Sequence, residues 1–269
     1  MKKELFARVD IHNHIYPERI AARAVESVGV FYAIPMAGNG TVKELLSLQA
    51  ESGIDYSLVH SVALRPEQVV PINDFIAAEC RKHPSFIGFA TMHQDFEDKA
   101  GELERILALG LCGFKLHPDS QGVTIDDDRL MEFYALLEGR LPVMLHCGDY
   151  RYDFSNPKRV KRVLQEFPRL VANCAHFGAW SLCDLAVEYL EDEHCFMDIS
   201  SAAVYLGPRR TTELIKLYGS ERILFGSDYP MWNPVEELER FYLNDLSVRE
   251  QEQVLLRSAE AYLGRDLSR

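Results

Sequence analysis

An α/β protein whose parallel strands close into a single-domain (β/α)8 barrel is what this sequence predicts, and three observations predict it. Apolar runs of strand length alternate with helical patterns along the whole chain, eight times over. Parallel neighbours joined by right-handed crossovers need a helix between each pair, and this order supplies one. The length, 269 residues, is one that a closed barrel fills as a single unit. The turn after the first strand reads His12-Asn13-His14-Ile15-Tyr16-Pro17. An open doubly wound sheet would carry a glycine-rich phosphate loop at that point.

The elements follow in order. The apolar stretch from Leu5 to Val9 leads into Asp10-Ile11-His12-Asn13-His14 at the end of the first strand. Pro17 suits the first turn of the next helix. Residues 31–40 read as irregular, 42–52 as a helix, 56–62 as the second strand and 66–81 as its helix. A third strand at 86–90 and a helix at 98–109 precede a fourth strand at 112–117, ended by Pro118, and a helix at 127–138. The fifth strand covers 142–146. Its helix carries Val160, Val163, Leu164 and Phe167, a one-face stripe. Strands six, seven and eight fall at 170–176, 195–199 and 222–226, and helices at 211–218, 235–242 and 248–262 finish the chain.

Composition narrows the function classes. A net charge of -12 argues against nucleic acid or a membrane surface as partner, since both call for a basic patch. A small-molecule substrate remains, and a homodimer is allowed. No run reaches the roughly 18 apolar residues of a membrane span, and the N-terminal charge has no signal-peptide core behind it. The six cysteines, Cys80, Cys112, Cys147, Cys174, Cys183 and Cys195, include no C-x-x-C pair. They read as reduced thiols of a cytoplasmic protein.

The polar residues gather at one place in the pattern. Successive side chains on a strand alternate faces, so His12 and His14 project the same way. His117 ends strand four, His146 strand five and His176 strand six, and Asp228 follows strand eight. All C-terminal strand ends of a parallel barrel lie on one face, where active sites of this architecture are built. Unrelated packing histidines would have no reason to choose that end together, so the set reads as a divalent-metal site. His93 after strand three is a further candidate, whereas His60, His83 and His194 read as ordinary core or surface residues.

His12-x-His14 after strand one, a histidine after each of strands five and six, and an aspartate after strand eight resemble the amidohydrolase superfamily over essentially the whole chain. Gly113-Phe114-Lys115-Leu116-His117-Pro118 and Leu224-Phe225-Gly226-Ser227-Asp228-Tyr229-Pro230 resemble its amidohydrolase-related branch of metal-dependent TIM-barrel hydrolases and decarboxylases. At the C-terminus, Ser258-Ala259-Glu260-Ala261-Tyr262 departs from the Asn-Ala of many relatives.

The resemblance implies that His12, His14, His146 and Asp228 hold one divalent ion per chain, zinc first, with manganese or iron as alternatives. It makes His176 a proton relay, and it lets Asp228 both hold the ion and accept a proton. Lys115 is open to three roles: a carbamate bridging two ions, a cation that binds a substrate carboxylate together with His117, or a lysine tied to a carboxylate such as Asp198. The activity implied first is hydrolysis of a C–N or C–O bond in a small polar substrate through metal-activated water. The alternative is non-oxidative decarboxylation of an unsaturated or aromatic acid on the same site. A metal-bearing barrel without catalysis is the reading from a different class.

Overall fold

The computed structural model describes residues 6–268. In chain order the elements are β1 (Val9–His14), α1 (Glu18–Tyr32), α2 (Val42–Ser52), β2 (Tyr56–His60), α3 (Val69–Lys82), β3 (Phe86–Gly88), β4 (Ala90–Thr91), α4 (Lys99–Ala108), β5 (Phe114–Leu116), α5 (Pro118–Gln121) and α6 (Asp128–Leu137). There follow β6 (Val143–Leu145), α7 (Pro157–Glu166), β7 (Ala172–Cys174), α8 (Cys183–Leu190), β8 (Phe196–Asp198), α9 (Ala203–Tyr218), β9 (Ile223–Leu224), α10 (Pro234–Phe241), α11 (Val248–Glu252) and α12 (Ser258–Leu263). The residues form two compact units, one of 6–59, 83–87 and 199–268, the other of 60–82 and 88–198. Among the described residues no helix is long and apolar enough to cross a membrane.

In the first unit β1, β2 and β3 form a sheet in that order. Local chemistry sets the helix ends. The Thr41 hydroxyl accepts the Glu44 N–H at 3.2 Å to open α2, and Ser247 and Glu250 cap α11 reciprocally. In the second unit β4 to β8 run parallel in chain order. Phe114, Leu116, Val143, Met144, Leu145, Cys174 and Met197 are all fully buried there, as expected of parallel strands covered on both faces. Leu116 is in register with Leu145, and Leu145 with Cys174. That register brings His117, His146 and His176 to the same edge of the sheet.

Three of the differences from the sequence expectation bear on how the strands and helices are laid out. The third strand is interrupted at Phe89, giving β3 and β4. The Phe89 ring lies where a Cβ on Gly113 would stand, 2.4 Å from its nearest atom, so only glycine lets β5 approach. Helix α8 had no range of its own in the sequence pattern, because its buried face reduces to Ala186 and Leu190, too short a stripe to stand out. Helix α9 begins at Ala203 rather than near 211 and bends at Gly207-Pro208, a pair that reads as a stop in sequence.

Candidate metal centre

In the first unit β1 places Asp10, His12 and His14 on one face by its two-residue period. His12 is fully buried, and its Nδ1 lies 3.1 Å from the Ser200 hydroxyl. That contact turns the opposite nitrogen, Nε2, toward Asp228 Oδ1 at 3.4 Å. His14 Nε2 stands 3.5 Å from the same oxygen. Donors bound at about 2.0–2.1 Å around a tetrahedral ion lie about 3.4 Å apart, so these separations fit a zinc-sized divalent ion. A hydrogen-bonding partner behind a ligating imidazole, the part Ser200 takes here, is the usual companion of such a ligand.

The backbone holds this arrangement. The Asp228 N–H donates to the His12 carbonyl at 2.9 Å, and Ile11 N–H to Phe225 O at 3.0 Å. A Cβ on Gly226 would come within 2.9 Å of the His12 Cβ, so a side chain there would push the Asp228 loop off β1. Asp10 pins the same loop. Its carboxylate accepts the Ser227 N–H at 2.9 Å, the Ser227 hydroxyl at 2.6 Å and the His12 N–H at 3.1 Å. Complete burial nevertheless raises its pKa to about 7, against the lowering effect of those hydrogen bonds. Asp228 itself has φ +60°, a left-handed conformation that a side-chain-bearing residue adopts only where its surroundings enforce it.

The second unit has its own cluster. His176, at φ +61°, donates its N–H to Asp198 Oδ1 at 3.3 Å, and Asn173 donates to Asp198 Oδ2 at 2.8 Å. His176 Nε2 lies 3.1 Å from His146 Nδ1, so one of the two rings carries the shared proton. His117 caps α5, accepting the Ser120 N–H on its Nδ1, and stacks on His146 at 3.9 Å between centroids and 10° between planes. Asp119 Oδ2 lies 3.5 Å from His146 Nε2 and accepts the Ser155 hydroxyl. Burial raises the Asp119 pKa to about 7, helped by the nearby Asp149 charge.

His117, Asp119 and His146 present ligand atoms within 4.8 Å of one another. Parallel stacked imidazoles, however, send their in-plane lone pairs side by side rather than onto one point. His117 and His146 therefore pack ring against ring, which fixes the orientation of both imidazoles.

Lys115 is fully buried in β5. His93 is also buried, which lowers its pKa, and its Nδ1 accepts the Asp95 N–H. His60 ends β2 with no exposed surface.

A family model described as amidohydrolase matches residues 9–265. The chain belongs to the amidohydrolase family. No curated protein matches it in sequence. Among solved structures it is similar to an uncharacterized TIM-barrel protein of Bordetella bronchiseptica, at 20% identity and a TM-score of 0.77 over 96% of this chain and 100% of that one. It is also similar to a dihydroxybenzoic acid decarboxylase of Polaromonas with bound manganese and the inhibitor 2-nitroresorcinol, at 17% identity and a TM-score of 0.75 over 96% and 97%. A third is the 5-carboxyvanillate decarboxylase of Novosphingobium aromaticivorans with manganese and 4-hydroxy-3-methoxy-5-nitrobenzoic acid, at 16% identity and a TM-score of 0.76 over 97% and 96%. These likenesses give the fold, the TIM barrel that the strand and helix order predicts.

For this family member the sequence reading missed Asp10 as a brace, Asp119, and the pair Ser200-Ser201. Asp10 was findable, since it shares the two-residue period of His12 and His14. Ser200 and Ser201 stand directly after strand seven, at the end where functional residues of this fold collect. Asp119 had no comparable signal, because its meaning comes from Ser155 and His146.

Proposed function

We propose that this protein is a metal-dependent decarboxylase that releases carbon dioxide without oxidation from an aromatic or unsaturated carboxylic acid. The observation that carries this reading is the convergence of His12, His14 and Asp228, with an aromatic edge attached to it. Trp232 donates its indole N–H to Ser201 at 2.8 Å, and Ser201 is bonded to Asp228. Tyr205 meets Trp232 edge to face at 5.9 Å and is 61% exposed. An exposed and a half-buried aromatic ring linked in this way to ion-binding groups suit a planar aromatic substrate. The manganese and aromatic acid analogues in the similar decarboxylase structures support the same direction.

His12, His14 and Asp228 would hold the divalent ion, and the family resemblance implies His146 as a further ligand. The donor set, imidazole and carboxylate without thiolate, suits zinc, with manganese next. When bound, such an ion supplies Lewis-acid polarisation of a substrate oxygen. Lys115 and His117 bind the substrate carboxylate. As the bond from the ring carbon to the carboxylate breaks, the electron pair stays on the carbon. His176 delivers the proton that replaces carbon dioxide, its backbone N–H held by Asp198 and its ring by His146. The six cysteines are unbridged, in keeping with the cytoplasm.

Hydrolysis by the same residues is the second reading, and the description of the matching family favours it. The two are separated by incubating the metal-loaded protein with hydroxybenzoic and related unsaturated acids and measuring carbon dioxide. Release that is lost on chelation is expected. Cleavage of amides or esters with no carbon dioxide from any acid would replace decarboxylation with hydrolysis.

A further inference from the structure

We propose that Ser201 is a positioning residue that holds one oxygen of Asp228 away from the ion, so that the aspartate binds through the other oxygen alone. This rests on the reading of Asp228 as an ion ligand. The two carboxylate oxygens have different surroundings. Oδ1 faces both His12 Nε2 and His14 Nε2, at 3.4 and 3.5 Å. Oδ2 accepts the Ser201 hydroxyl at 2.5 Å, a short, charge-assisted distance.

The direction of the Ser201 proton follows from its second partner. A hydroxyl has one proton and two lone pairs. The Trp232 indole can only donate, and it takes one lone pair at 2.8 Å. The hydroxyl proton then has Asp228 Oδ2 and, at 3.5 Å, the weakly accepting Met231 sulfur to choose between. The carboxylate is the stronger acceptor. The chain Trp232 to Ser201 to Asp228 therefore runs in one direction, and it fixes the rotation of the carboxylate.

The backbone supports the same conclusion. Ser201 is fully buried and has φ +55°, in the left-handed region. Glycine occupies that region without steric cost, so burial and conformation alone would favour glycine there. A serine in that position is explained by its hydroxyl. With the hydroxyl gone, Oδ2 loses this hydrogen bond and can approach the ion beside Oδ1, which changes both coordination number and geometry.

The test uses cobalt(II) as a spectroscopic stand-in for the ion, added to the metal-free protein. Ser201→Gly removes the hydroxyl while fitting the backbone, so a merely structural role predicts an unchanged spectrum and equal or greater stability. The proposal predicts that the visible cobalt bands of Ser201→Gly lose intensity and shift as coordination number rises. It also predicts that cobalt is bound roughly 10–100-fold more weakly in competition with a chelator. Trp232→Phe keeps the hydroxyl and removes only its donor, so it gives a smaller shift in the same direction, and it serves if Ser201→Gly fails to fold. A Ser201→Gly spectrum that superposes on that of the unaltered protein overturns the role of Ser201 and leaves Asp228 a ligand. Failure of the folded, unaltered protein to bind cobalt at all overturns the ion reading and this proposal with it.

Discussion

The His12–His14–Asp228 cluster and the His117–His146–His176 cluster both rest on imidazoles with little exposure, yet their geometries differ. In the first, two imidazole nitrogens aim at one aspartate oxygen at 3.4 and 3.5 Å. In the second, the rings engage one another: His146 stacks on His117 and shares a proton with His176. Convergence on a point creates a place for a cation. Ring-to-ring contact creates a path for a proton and holds each ring's orientation. Histidine content alone does not distinguish a metal site from a relay; the direction of the lone pairs does. Each cluster also contains one buried carboxyl group with a pKa raised to about 7, Asp10 in the first and Asp119 in the second.

The largest effect expected from this contrast is in the first cluster. His12→Ala, His14→Ala and Asp228→Asn should each lose the ion and reduce activity to background together, read by elemental analysis and turnover on the same preparations. A variant of this set that kept a full equivalent of metal would break the convergence account.

Substitutions in the second cluster should separate. His146→Ala should lose the ion with the first group, whereas His176→Ala should retain it and lower turnover about 10²–10⁴-fold, the usual worth of a positioned proton donor. Retention of metal by both variants would make the whole second cluster a relay. Loss of metal by both would make His176 a ligand.

The smallest effect concerns stability against pH. Asp10 has a folded pKa of about 7 against 3.8 for the free group, so between those values the folded protein binds more protons than the unfolded chain. Stability therefore falls as pH rises through that window. Denaturant unfolding of the metal-free protein should show this decline, and Asp10→Asn should flatten it, leaving the part due to Asp119. The same slope in Asp10→Asn would assign the decline to other groups.

Much of this was legible in the chain. Alternation of strand and helix gave the architecture because parallel strands cannot be joined otherwise, and the strand-end positions of His12, His14, His146, His176 and Asp228 marked the face where the chemistry collects. The interruption at Phe89 was hidden, since it depends on a glycine of the next strand making room for a ring. The decarboxylase alternative gained over the hydrolase first implied because the similar structures of known activity act on aromatic acids.

Residue type and period by themselves determined that β1 presents Asp10, His12 and His14 on one side, and that further histidines and Asp228 stand at strand ends. Tertiary structure alone decided which imidazoles converge and which stack, that Ser200 turns His12, and that Ser201 takes one oxygen of Asp228. The physical reason is range. Strand period and helix stripe are local and repeat in the sequence. The direction of a lone pair or a hydroxyl proton is set by partners as far as 217 positions away in the chain, and no local pattern encodes it.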